Sequence, residues 1–265
     1  MDVARISVAT HVLSADLRRA LELARDLGVR GVELDARGPL APGQLSSSGI
    51  RQIRKWLGDF GIEITAIAFR TRGGYGDPDR LEGRIAATKT ALELAHALGA
   101  GIVLNHVGDV PPPAADGADE PVSWRLLVDV LADIAAWGQR VGATLCAEAG
   151  RTAPADLVRL AAALPEGGLC CDVVTGALVV HGHDPAAAVA TLGGLVASVH
   201  ATDAVAGAFA GRGRAVVLGT GHVDFAGTFA VLEERGYRGW IGIEPVEDRA
   251  ARGELAGALD YLRAL

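Results

Sequence analysis

Four side chains able to bind a metal or move a proton stand at or beside the C-terminal ends of successive strand-like segments in the second half of the sequence. They are Glu148 after Thr144-Leu-Cys-Ala, Asp172 after Leu169-Cys-Cys, His200 after Ala197-Ser-Val and Glu244 after Ile241-Gly-Ile. In a barrel of parallel strands those ends converge on one face, so residues distant in sequence meet around one ion or one substrate. A mixed carboxylate and imidazole set suits Mn²⁺, Mg²⁺, Co²⁺ or Zn²⁺, any of which polarises a carbonyl or hydroxyl. The ordinary alternatives are a backbone partner for His200 and a salt bridge from Glu148 or Glu244 to Arg151, Arg70 or Arg5, because an unpaired buried charge is costly. Glu33, at the end of an earlier segment, suits a structural pair with a strand-end arginine or a contact to a substrate hydroxyl. Asp203 suits an orienting partner for His200 or a loop cap, since ligating imidazoles usually give their second N–H to a carboxylate.

These residues need a scaffold of short strands alternating with helices, and the sequence supplies one. Eight apolar runs read as strands: Ile6–Ala9, Gly31–Leu34, Glu63–Ala68, Ile102–Asn105, Thr144–Ala147, Gly168–Asp172, Val196–His200 and Trp240–Ile243. Between them lie stretches of helical period. In one, Leu81, Ile85, Thr88, Leu92 and Ala95 recur at steps of three and four and make one inward stripe. Ser14, Ser47 or Ser48, and Asp77-Pro78 suit helix starts, and glycines 28, 61, 99, 142 and 236 suit helix ends just before a strand. This alternation is the mark of βα units and a parallel sheet. No Gly-x-Gly-x-x-Gly turn follows the first strand, so a closed barrel is expected over an open doubly wound sheet. The expected fold is one α/β domain over residues 1–265, a (β/α)8 barrel. Three loops fall on the expected active face: Phe69–Asp77 with Arg70 and Arg72, Val107–Pro121, and Asp203–Gly221 with Arg212 and Arg214. The second of these has the length of a lid. Candidate substrate contacts are His106, Arg212, Arg214, Arg70 and His11. His181 and His183 are expected at the periphery, and Cys146 and Cys170 in the barrel core beneath Glu148 and Asp172, with which they share strand parity.

Composition narrows the function classes. The formal net charge is −7, which argues against a nucleic-acid partner, since phosphate backbones are held by clustered Lys and Arg. No apolar run approaches the roughly 20 residues that span a bilayer, and the N-terminus lacks the order of a signal peptide. A cytoplasmic protein without a membrane partner is expected, with a homodimer as the commonest assembly of soluble enzymes. The cysteines, Cys146, Cys170 and Cys171, show no disulfide or zinc-ribbon spacing and are expected as buried free thiols.

Gly31-Val-Glu-Leu-Asp35, Asn105-His106, Ala147-Glu148, Gly182-His-Asp-Pro185, Val199-His-Ala-Thr-Asp203, Leu218-Gly-Thr-Gly-His-Val-Asp-Phe225 and Tyr237-Arg-Gly-Trp-Ile-Gly-Ile-Glu244 carry a resemblance over most of the chain. The chain resembles the sugar phosphate isomerase/epimerase group, the xylose-isomerase-like TIM barrels that include ketose 3-epimerases and inosose-processing enzymes. The resemblance implies a divalent metal held by Glu148, Asp172, His200 and Glu244, with Glu148 and Glu244 as base and acid beside a substrate carbonyl. It implies an isomerase or epimerase of carbohydrate metabolism, acting on a sugar, cyclitol or related polyhydroxy carbonyl compound. A lyase or dehydratase on a similar substrate is the alternative within the same chemistry. A DNA-repair endonuclease of related fold is disfavoured by the acidic charge. The sixth strand departs from the group's pattern. Counting back from Gly182 puts Val174 where the metal Asp belongs and Ala177 where an Asn or His belongs. Asp172 shares a strand face with Val174 but lies one layer deeper, by roughly 6–7 Å. Either a local bulge raises Asp172 to the metal, or the site is a weakened one built on Glu148, His200 and Glu244. A metal-free member with a binding or repurposed role is the further alternative.

Overall fold

The structure is a computed structural model that describes residues 5–41, 43–115, 118–245 and 252–265. In chain order the elements are β1 (Ile6–Ala9), α1 (Thr10–Leu13), α2 (Leu17–Asp26), β2 (Gly31–Asp35), α3 (Ser47–Phe60), β3 (Glu63–Ala68), α4 (Leu81–Leu98), β4 (Ile102–Asn105) and α5 (Val122–Val141). They continue with β5 (Thr144–Ala149), α6 (Pro154–Ala162), β6 (Cys170–Val174), α7 (Thr175–Val180), α8 (Pro185–Leu192) and β7 (Val196–Ala201). Last come β8 (Asp203–Val205), β9 (Arg214–Val216), α9 (Phe225–Glu234), β10 (Ile241–Ile243) and α10 (Arg252–Arg263). Eight strands, β1 to β7 and β10, close into a parallel barrel in which β1 pairs with both β2 and β10. This is the expected (β/α)8 barrel. The eight expected strands are its staves, and all their C-terminal ends share one face.

The helices form where the sequence gives them an inward stripe and a stop. On α4, Leu81, Thr88, Leu92 and Ala95 are buried and Ile85 partly so. All five expected terminal glycines have positive φ, as at Gly99 (φ 88°), where α4 ends in the left-handed region. The starts are displaced slightly. Asp16 caps α2 by accepting from Arg19 N at 2.8 Å, with Ser14 two residues upstream accepting from Asp16 N. Ser46, one residue before the expected pair, caps α3. Beyond Asp77-Pro78, α4 starts after Arg80, whose φ is 52°. The expected loop after β7 contains a correction: β8 and β9 form a small antiparallel hairpin there.

Two bulges set which side chains face the barrel interior. Opposite β2, Val32 pairs with Ile64 and Glu33 with Ala66, so Thr65 is passed over. Opposite β6, Cys171 pairs with Val196 and Asp172 with Ser198, so Ala197 is passed over. In β3 Ile64 packs in the outer core and Ala66 in the inner cluster; in β7 Ala197 packs in the inner cluster and Val199 in the outer core. Strict alternation would place each of these pairs on one face. The extra residue resets the alternation, which is how a bulge re-aims the side chains beyond it. His200 is thereby turned inward. The inner cluster, formed by Ala66, Leu104 and Cys146 with Cys170 packed against them, is the floor expected beneath the site. The three cysteines are free.

Candidate active site

Strand ends β2, β5, β6 and β7 bring Glu33, Glu148, Asp172 and His200 together, and Arg70 joins them from the loop after β3. The imidazole is central. His200 Nδ1 lies 2.7 Å from Asp172 Oδ2 and Nε2 lies 2.8 Å from Glu33 Oε2. An ionised carboxylate only accepts, so both ring nitrogens donate and the ring is an imidazolium. Burial pushes the His200 pKa down, but Asp172 and Glu33, by charge and hydrogen bond, hold it well above its ordinary value. Burial likewise pushes Glu33 up, yet His200 and Arg70 bring its carboxyl below the usual range. Gly242 of β10 makes the arrangement possible, because a Cβ there would sit 2.9 Å from both Cδ2 and Nε2 of His200.

Arg70 links this buried triad to the mouth. Its Nε donates to Glu148 Oε1, and Nη1 stands 3.7 Å from Glu33 Oε1. Burial lowers the guanidinium pKa, but Glu148, Glu33 and Glu244 more than reverse this, so the charge is permanent. Glu148 remains one-fifth exposed. Burial raises its pKa above the carboxylate range, with Arg70 opposing and Asp172 adding to the rise. The loop that carries Arg70 is anchored by a residue the sequence reading did not single out for this role. Buried Asn105 accepts from Thr71 N at 3.0 Å and donates to Tyr75 Oη at 2.8 Å, and Tyr75 in turn meets Thr88 Oγ1 at 2.7 Å. An Asn at a strand end, where a helix-facing Val or Leu would otherwise pack, was the available signal.

Glu148 opens into a cavity of about 920 Å³ lined by Arg72, His106, Asp109, Arg151, Val174 and His181 among others. Val174 takes the lining place, opposite His200 in register, whereas Asp172 pairs with Glu148 one layer below and is fully buried. The β6–β7 bulge therefore brings His200 to Asp172 and does not raise Asp172 to the cavity. Segment 108–112 forms one wall, tied down by Thr152 Oγ1 donating to Gly108 O and by Arg159 donating to Pro111 O. His106 Nε2 donates to Thr71 O.

Other expected contacts fall elsewhere. Arg214 lies exposed on β9 and Arg212 is exposed in the hairpin turn, away from the cavity lining, which draws its arginines from Arg72 and Arg151. His181, expected at the periphery, is in that lining. His11 sits in α1 outside it, its Nδ1 buried without a hydrogen-bond partner. Asp203 is a loop cap: its carboxylate accepts from the backbone N–H groups of Ala204, Gly219, Gly221 and Val223. Glu244, expected beside Glu148 as a catalytic and metal-binding residue, follows β10 outside the lining of the large cavity, in a smaller one with Asp203, Leu218 and Leu255, and acts on Arg70 through its charge.

The ligand set that the resemblance implies needs an imidazole nitrogen and several carboxylate oxygens free to face one point. Here His200 has both nitrogens committed to carboxylates, and Glu148 holds a guanidinium. Asp172 Oδ1 is buried without a partner, but it is one donor and not a set. Among the described residues no three His, Cys, Asp or Glu side chains are grouped to hold a metal. The side chains do not fit the ion that the resemblance implies.

The sequence profile of the family described as xylose isomerase-like TIM barrel matches residues 21–265. No curated protein matches in sequence. Among solved structures, a xylose isomerase domain protein from Planctomyces limnophilus superposes with a TM-score of 0.84 at 24% identity, covering 98% of this chain and 95% of that one. D-psicose 3-epimerase from Clostridium cellulolyticum H10 gives 0.79 at 17% identity, covering 98% of both chains. A 3-keto-D-glucoside 4-epimerase from E. coli gives 0.76 at 16% identity, covering 98% of this chain and 99% of that one. At these identities the likeness is one of fold.

Proposed function

The chain belongs to the xylose isomerase-like TIM-barrel family, and from that premise we propose that it is an isomerase or epimerase of a sugar or related polyhydroxy carbonyl compound. The observation that carries this reading is Glu148, a carboxylate whose pKa is raised by burial, placed where the barrel opens into a large cavity. A base of raised pKa takes a carbon-bound proton better than an ordinary carboxylate does. In the proposed step Glu148 removes the proton from the carbon beside the substrate carbonyl. The electron pair moves to the carbonyl oxygen and an enediolate forms. Return of a proton to the opposite face of the same carbon, from an acid of the cavity wall, gives the epimer; return to the former carbonyl carbon, with the adjacent hydroxyl proton passing to the enediolate oxygen, gives the isomer. Fold likeness to two sugar epimerases supports the substrate class. Arg72, His106, Arg151 and His181 supply polar groups for hydroxyl or anionic substituents along the cavity wall. No helix among the described residues is long and apolar enough to cross a membrane, and the reading needs none.

The test is proton exchange. The purified protein is incubated in D₂O with a panel of ketoses, aldoses and keto-cyclitols, and ¹H NMR follows loss of the signal beside the carbonyl. The expected result is deuterium incorporation with at least one substrate, reduced at least about 100-fold in Glu148→Gln. Absence of exchange across the panel, or exchange untouched by Glu148→Gln, overturns the reading.

A further inference from the structure

We infer that Arg70 occupies the place of the active-site cation, so that this barrel works with a built-in guanidinium where a divalent ion would otherwise stand. Three strand-end carboxylates act on Arg70 from different staves: Glu148 on β5 by a direct bond, Glu33 on β2 at 3.7 Å, and Glu244 after β10 through its charge. Glu148 and Glu33 face one region, and that region holds a guanidinium. The fourth, Asp172, together with Glu33, is served by the two N–H groups of His200. Arg70 and doubly protonated His200 thus bring two positive charges to four carboxylates, the charge that a divalent ion beside a neutral imidazole would bring.

The placement is built into the chain and is not a loose rotamer at the surface. The β2–β3 bulge at Thr65 resets the inner face just ahead of Arg70, and Asn105 pins the neighbouring Thr71. Val174 contributes an apolar wall where a fourth ligand would be needed. The side chain of Arg70 stays three-tenths exposed, and with Nε on Glu148 the guanidinium keeps four further N–H groups. Those groups can meet the carbonyl and adjacent hydroxyl oxygens of a substrate and stabilise the negative charge that develops on them. This last role rests on the isomerase reading above, whereas the occupancy of the cation position rests on the contacts of Arg70 with Glu148 and Glu33.

Manganese alone serves as the probe, so the outcome is independent of turnover. Protein purified without chelator is assayed for metal, then titrated with Mn²⁺ while electron paramagnetic resonance follows the free ion. The expected result is substoichiometric metal as purified and no site tighter than about 1 mM in the wild type. Arg70→Ala, checked for native circular dichroism, should gain one site at least about tenfold tighter, lost again in Arg70→Ala/Glu148→Gln. If Arg70→Ala does not fold, Arg70→Met keeps the packing of the stem and serves in its place. Stoichiometric Mn²⁺, Co²⁺ or Zn²⁺ in the wild type, removed by Glu148→Gln, overturns the inference. So does a folded Arg70 variant with no gain in Mn²⁺ binding. Failure of the D₂O exchange would sink the isomerase reading and leave these results standing.

Discussion

Raising the pH from 7 to 8.5 should weaken the fold through a single proton, the one that His200 holds between Asp172 and Glu33. An unfolded histidine titrates near 6.5. The folded value is well above that, because two carboxylates outweigh the burial that alone would lower it. Above pH 6.5 the native state therefore keeps a proton that the unfolded chain has released. The stabilisation is complete below the unfolded value and is lost as pH rises towards the folded one, at about 1.4 kcal/mol per pH unit. Over the interval from 7 to 8.5 the loss is at most about 2 kcal/mol. Glu33 does not interfere: its folded value is lowered, so its contribution is present above 4.5 and is lost only in acid. The upper limit is set by the thiols of Cys146 and Cys171, which burial pushes up and which begin to count once unfolded cysteine ionises near about 8.5. Urea unfolding at half-unit pH steps measures the slope in the wild type and in His200→Gln, which keeps polarity without a titrating charge. The variant should be flat over the interval. Equal slopes in the two proteins, or ¹⁵N imidazole shifts of a neutral ring at pH 7.5, would refute the imidazolium and with it the claim that His200 has no nitrogen to give a metal.

Two further substitutions probe the frame of the site. Asp203→Ala removes the carboxylate that accepts four backbone N–H groups around residues 204–223; a loss of about 3 kcal/mol is expected in denaturant unfolding, with faster amide exchange at Gly219, Gly221 and Val223. A loss under about 1 kcal/mol would show that those amides find other partners. Gly242→Ala puts a methyl 2.9 Å from the His200 ring, so the ring must shift and both of its hydrogen bonds loosen, at a cost of about 1–3 kcal/mol. An unchanged Tm would mean that the ring is not packed on β10 as described.

The barrel was legible in the sequence because its determinants are local. Apolar runs such as Ile102–Asn105 and Thr144–Ala147 alternate with helical stripes such as that of α4, and left-handed glycines end the helices ahead of the strands. Strand ends were legible for the same reason, so Glu33, Glu148, Asp172, His200 and Glu244 could be named from position. The offset on β6 was also in the sequence, and Val174 lines the cavity as the count from Gly182 implied. Partnership was not legible. Whether Glu148 meets a metal or Arg70 depends on how a bulge at Thr65 and a hydrogen bond from Asn105 steer one loop, and both are consequences of register between strands. His200 faces Asp172 only because β7 carries one residue more than its neighbour at Ala197. The cavity's arginines proved to be Arg72 and Arg151, with Arg212 and Arg214 on an outer hairpin. Side-chain periodicity reports on neighbours within one element. Register and loop path bring together groups tens of residues apart, and only the closed barrel decides them.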